Sequence, residues 1–125
     1  MFQIDLMSRQ PIYEQLTDQI EKLLLAGILN PNDKLPSVRN LSCTLHINPN
    51  TIQKAYSDLC NKGILCSVPG RGCFVAENAK DILYQMSQKK LSDLGDLLIQ
   101  LKLAGVNKTE ILNEVEKIFE EGEIK

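Results

Sequence analysis

The chain has 125 residues, 43% hydrophobic and 24% charged, the composition of a soluble globular protein with room for one small domain and an appendage but not for an ordinary ligand-binding domain as well. No apolar run reaches the length of a membrane span, and the start, MFQIDLMSRQP, lacks the basic-then-apolar order of a secretory signal, so a cytoplasmic place and no membrane partner are expected. The net charge of −2 argues at first sight against a polyanion, yet Lys34 to Gly72 holds five basic residues (Lys34, Arg39, Lys54, Lys62, Arg71) against Asp58, while acids collect from Glu110 to Glu123.

The first predicted element is PIYEQLTDQIEKLLLAG. Pro11 suits a first helical turn, Gly27 suits a left-handed stop, and Ile12, Leu16, Ile20, Leu23 and Leu24 form one apolar stripe. A loop through Asn30, Pro31, Asn32 and Asp33 follows. In LPSVRNLSCTL, Ser37 can cap a second helix whose Val38, Leu41 and Leu45 face inward. A short turn leads to a third helix, with Asn48 as its cap, Pro49 at the first position and Gly63 beyond its end. ILCSVPGRGCFV then reads as a hairpin, Leu65 to Val68 and Cys73 to Val75, around the turn Pro-Gly-Arg-Gly. Three helices followed by a hairpin is the order of a winged helix-turn-helix. Asn78 can cap a long helix reaching about Leu103, and Asn107 with Glu110 has capping-box spacing for a last one. The expected fold class is therefore mainly α (α+β): a winged helix-turn-helix over 1–77 and a two-helix segment over 78–125.

On the third helix, Ile52, Ala55, Tyr56 and Leu59 share one side, and Asn50, Gln53, Lys54 and Ser57 fall nearly opposite. The polar side is either solvated surface or a face that reaches into a partner. Asn and Gln each give and accept a hydrogen bond in one plane, which matches the edge of adenine in the major groove. Lys54 can reach a phosphate or a guanine, and the helix start adds free amides suited to a phosphate. Ser37 and Arg39 begin the preceding helix, where a helix-turn-helix crosses the sugar-phosphate backbone. Arg71 sits at the wing tip, between Gly70 and Gly72, which let the backbone come close to a phosphate. A protein-docking module would instead carry an apolar face here.

With these motifs together, residues 10 to 76 resemble the winged-helix domain of the GntR family of bacterial transcription regulators. The resemblance rests on LPS-x-R, N-T-I-x-K-A-Y-x-x-L and G-R-G-x-F-V, with PIYEQLTDQI before them. The short tail is similar to the YtrA-type branch, whose members lack larger effector domains and dimerise through two helices. The resemblance implies contacts to double-stranded DNA from Ser37, Arg39, Asn48, Asn50, Thr51, Gln53, Gly70 and Arg71, and a repressor as the expected function. The chain departs from the family pattern at Pro49, where many relatives carry Arg, and at His46 and Asn32, where glycine is usual. Asn tolerates left-handed angles.

In the tail, Leu91, Leu94, Leu98 and Leu101 step 3, 4, 3, and Leu97 widens the row. The row either packs on the first and last helices or forms a two-fold seam. A homodimer is the favoured expectation, since two tied winged helices gain effective concentration on a pseudo-palindromic site. Cysteines 43, 60, 66 and 73 match no zinc pattern, and His46 is the single histidine. They are expected to be small buried or half-buried residues in a reducing compartment, a thiol sensor or a metal site being the other readings. No nucleophile–base pair or phosphate loop appears, so neither an enzyme nor a cofactor is expected. No pocket motif assigns a small-molecule effector, which would have to sit at the dimer interface or between wing and tail.

Overall fold

Helix boundaries follow the residues able to satisfy free backbone groups. The computed structural model describes residues 2–121, and its elements are α1 (Ile12–Leu25), α2 (Val38–Leu45), α3 (Pro49–Asn61), β1 (Leu65–Val68), β2 (Gly72–Val75), α4 (Ala79–Leu103) and α5 (Lys108–Glu121). The Ser37 hydroxyl accepts the Asn40 N–H at 3.0 Å, Asn48 Oδ1 accepts the Asn50 N–H at 2.8 Å, and Asn107 Oδ1 accepts the Glu110 N–H at 2.9 Å. Each bond occupies an amide that has no partner within the helix. Pro11 stands just before α1, one position earlier than expected, and its carbonyl accepts the Gln15 N–H at 3.1 Å.

The turn between α2 and α3 closes without glycine. His46 takes the left-handed conformation at φ 57°, and Ser42 clamps the turn twice: its carbonyl accepts the Ile47 N–H at 3.2 Å and its hydroxyl donates to the Ile47 carbonyl at 2.6 Å. Asn32 is likewise left-handed, at φ 72°.

β1 and β2 pair antiparallel in the register Leu65–Val75, Cys66–Phe74, Ser67–Cys73 and Val68–Gly72. A third edge, absent from the sequence reading, comes from the loop before α2. Lys34 bridges Phe74, the Leu35 N–H donates to the Cys73 carbonyl at 2.8 Å, and the Val75 N–H donates to the Asp33 carbonyl at 2.8 Å. The wing is thereby tied to the loop that leads into α2.

The core gathers Leu16, Ile20 and Leu24 from α1, Leu41 from α2, and Ile52, Ala55, Tyr56 and Leu59 from α3, closed by Ile64, Leu65 and Val75. Val38 and Leu45, expected to face inward, are half-buried. The N-terminal arm buries Phe2 and runs back along α1, where two glutamines one turn apart grip its backbone. Gln15 accepts the Asp5 N–H at 2.9 Å and donates to the Asp5 carbonyl at 3.0 Å; Gln19 accepts the Gln3 N–H at 2.9 Å and donates to the Gln3 carbonyl.

The chain divides into two compact units between Tyr84 and Gln85. Ala79 and Leu83, at the start of α4, are buried in the first. In the second, the end of α4 turns into α5 with the Val106 N–H donating to the Leu101 carbonyl at 3.0 Å. Among the described residues no helix is long and apolar enough to cross a membrane.

Candidate nucleic-acid interface

α3 divides its faces as its periodicity requires. Ile52, Ala55, Tyr56 and Leu59 are buried, whereas Asn50, Gln53 and Lys54 are exposed and Ser57 is half-buried. The exposed side chains are not loose. Gln53 Nε2 donates to Ser57 Oγ at 3.1 Å, and Lys54 Nζ lies 3.9 Å from the centre of the Tyr13 ring. Asn48 and Ser37 are exposed, but one oxygen of each is committed to a helix cap, leaving the Asn48 amide and the Ser37 hydroxyl proton to donate outward. Arg39 is exposed, and Thr51 is half-buried.

The wing tip is a tight turn. The Val68 carbonyl accepts the Arg71 N–H at 3.0 Å, and Gly70 at φ 78° supplies the left-handed angle that follows Pro69 in a type II turn. Arg71 is thereby carried exposed at the tip. At Gly72, a Cβ would stand 3.1 Å from Lys34 Cε, so the glycine leaves room for the lysine stem to cross the wing.

A groove of about 350 Å³ joins the start of α2, the side of α3 and the base of the wing. It brings Ser37 and Gln53 together with Ser57, Ser67 and Gly72; Asn50, Lys54 and Arg71 lie outside it. In its wall, Tyr56 donates to the Pro36 carbonyl at 2.6 Å, tying α3 to the residue before the α2 cap. Burial, then the neighbouring Cys73, raises the Tyr56 phenol above its ordinary value. Burial, with Cys60 and Cys66 nearby, pushes the Cys73 thiol up to about 12.

Of the five basic residues in this stretch, Lys62 is spent on an ion pair with Glu21 at 3.6 Å. Lys34, Arg39, Lys54 and Arg71 make no ion pair among the described residues. Two placements near the site escaped the sequence reading. Tyr13 belongs to the apparent packing helix, and its only signal is a position in the first turn of α1. Lys34 reads as a loop residue until the third strand edge places it against the wing.

In the second unit, Leu91, Leu94 and Leu97 are exposed and Leu98 and Leu101 half-buried. Leu98, Val106, Ile111 and Leu112 surround an apolar depression of about 540 Å³. The cysteines differ from expectation: Cys43 and Cys66 are exposed, and only Cys60 and Cys73 are half-buried. Both exposed ones lie on outward sides of their elements, a distinction that spacing in sequence does not carry. Among the described residues, no group of three or more His, Cys, Asp or Glu is arranged to hold a metal ion.

A family model described as bacterial regulatory proteins, gntR family, matches residues 12–75. The chain is 43% identical over 121 residues to the HTH-type transcriptional repressor YtrA of Bacillus subtilis (strain 168), covering 96% of this chain and 88% of that protein. A transcriptional regulator from Oenococcus oeni superposes with a TM-score of 0.74 at 32% identity, covering 93% of this chain and 97% of the other. The DNA-binding domain of AraR, crystallised in complex with operator ORE1, superposes with a TM-score of 0.52 at 36% identity over 61% of this chain and 95% of that one.

Proposed function

The chain belongs to the gntR family of bacterial regulatory proteins, and from that premise we propose that it is a repressor that binds a pseudo-palindromic operator as a homodimer. It is a transcription regulator with a winged-helix DNA-binding domain. The observation that carries the finer reading is the outward polar line of α3, Asn50, Gln53 and Lys54, on a helix whose other side is buried. An α-helix is about as wide as the major groove, so Asn50 and Gln53 meet base edges and Lys54 comes within reach of the DNA when α3 lies in the groove.

The roles follow from position. Asn50 and Gln53 read base edges. Ser37 and Arg39, at the start of α2, hold the backbone, with Asn48 and Thr51 doing so at the start of α3. Gly70 and Arg71 bring the wing to the flanking groove. Leu91, Leu94, Leu97, Leu98 and Leu101 join two copies, so that by function the chain is a DNA-binding domain over 1–77 followed by a dimerisation segment over 78–125. The repressor name of the Bacillus relative and the operator bound by AraR support this reading. The site of action is the cytoplasm, where bacterial DNA lies.

Selection from a pool of random duplexes tests the proposal. Inverted repeats with half-sites about one helical turn apart are the expected product. Enrichment of single, unpaired half-sites would overturn the dimeric reading. A pool left unchanged by selection would overturn sequence-specific binding altogether.

A further inference from the structure

The outward face of α3 has two unlike flanks. At about 100° per residue, with Asn50 taken as the outermost line, Gln53 and Ser57 fall to one side and Lys54 to the other. The Gln53 flank faces the groove shared with the start of α2 and the wing. The Lys54 flank faces α1, its ammonium lying over the Tyr13 ring. Two turns further along both helices, Lys62 meets Glu21. Two contacts in the same order on both helices place α1 and α3 side by side and running the same way, with the first turn of α1 beside the second turn of α3. α1 therefore borders the interface at the end from which Asn50 and Lys54 project.

Resting on the reading of α3 as the helix that enters the major groove, we propose that Tyr13 is a positioning residue of the DNA interface, whose ring holds Lys54 against the groove wall as a phosphate contact. A helix fills the major groove, so side chains at its front meet bases, while a long side chain drawn back towards a neighbouring helix reaches the backbone beside it. Lys54 sits on a flank, and the ring keeps it there. A lysine free in solvent samples many rotamers and loses that freedom on binding. Held over the negative face of an aromatic ring, its ammonium is already placed, and N–H groups turned away from the ring remain to donate to a phosphate. The Tyr13 hydroxyl is engaged with Glu14 at 3.3 Å, so the ring face is what Tyr13 offers to the interface. Lys54 then contributes to affinity for any duplex and little to the choice of sequence.

The test uses the full chain and a fluorescent, random-sequence duplex, because a phosphate contact needs no operator. Lys54→Ala should weaken binding and lower the salt slope by about one. Tyr13→Leu should weaken it about two- to five-fold, the worth of an exposed cation–π contact, and should add nothing in the Lys54→Ala background. Tyr13→Phe keeps the ring and should bind as the unaltered protein does. Independently of any variant, the ε-protons of Lys54 should show an upfield ring-current shift in the proton spectrum of the free protein. Additive losses in the double variant, a Tyr13→Phe loss equal to that of Tyr13→Leu, an unchanged salt slope in Lys54→Ala, or unshifted ε-protons would each overturn the proposal. An unaltered chain that binds no duplex while keeping the ring-current shift would bring down the DNA reading of α3 and this role with it. Binding with an additive double variant would remove the Tyr13 role alone.

Discussion

Asn50 and Arg39 are both exposed and polar, and with α3 in the major groove, as proposed, they would face different parts of a duplex. Asn50→Ala or Gln53→Ala should relax base preference and lose about 1–3 kcal/mol per good base contact. Arg39→Ala should weaken binding to all sequences and flatten the salt dependence by about one unit of slope. Binding isotherms at several salt concentrations, on selected and scrambled duplexes, separate the two; an Arg39→Ala protein with altered preference and intact salt slope would reverse the assignment. A second residue-scale expectation concerns pH. Burial first, then the charge and hydrogen bond of Cys60, and then Cys66, raise the Cys73 thiol from the usual 9.0 to about 12. Burial and Cys73 shift the Tyr56 phenol the same way. Both groups are neutral when protonated, and the folded state holds their protons more tightly than the unfolded chain. The stability tied to Cys73 is thus intact below pH 9 and lost as pH rises towards 12. Melting temperature should fall across that range, and less steeply in Cys73→Ala. Near neutral pH, iodoacetamide should label exposed Cys43 and Cys66 ahead of Cys73, as peptide mass mapping would read; early labelling of Cys73 would contradict the burial argument.

At the scale of elements, Gly63 carries the clearest prediction. It ends α3 at φ 82°, and an added Cβ would come within 3.1 Å of the Ile82 Cδ1 atom. A terminal methyl can move, so the left-handed backbone dominates, and Gly63→Ala should cost about 1–2 kcal/mol in urea unfolding while the fold is kept. An unchanged midpoint would mean that the junction between α3 and β1 re-forms without the left-handed turn. This helix end was legible in the sequence, as were the caps Ser37, Asn48 and Asn107 and the hairpin. Each depends on a residue type whose local chemistry acts within four positions. The polar face of α3 was legible because the helical period of about 3.6 residues gathers Ile52, Ala55, Tyr56 and Leu59 on one side and leaves Asn50, Gln53 and Lys54 off it. The remaining features have no such local signal. The edge formed by Asp33–Leu35 is too short to show alternation, and its partner Phe74 lies far along the chain. Gln15 and Gln19 look like solvated helix residues until the arm lies beside them, although Gln15 is 7% exposed. Tyr13 meets Lys54 only through the parallel packing of α1 on α3, which no periodicity announces.

For the whole molecule, the question is what covers the second unit. Leu91, Leu97, Leu112 and Phe119 are 69%, 51%, 49% and 77% exposed in the single chain. Burying one such side chain is worth about 1.5–3 kcal/mol, so a surface of this kind favours association, and a second copy is the occupant we expect. The division of the chain decides where a truncation can test this. A cut after residue 78 looks natural from the sequence, since the cap Asn78 opens α4. Yet Ala79 and Leu83 are 0% and 3% exposed and belong to the first unit. Losing a buried leucine costs about 2–5 kcal/mol, a large part of the 5–15 kcal/mol that holds a domain folded. A fragment of residues 1–78 should therefore be poorly stable, and one of residues 1–87 should fold as a monomer that binds operator much more weakly than the full chain. Leu94→Glu in the full chain should act likewise, by placing an unpaired charge in the seam. Circular dichroism of each protein separates loss of association from loss of α4 itself. Sedimentation at micromolar concentration then decides: a 1–87 fragment that still sediments as a dimer would place the interface in the first unit, and the leucine row would need another partner.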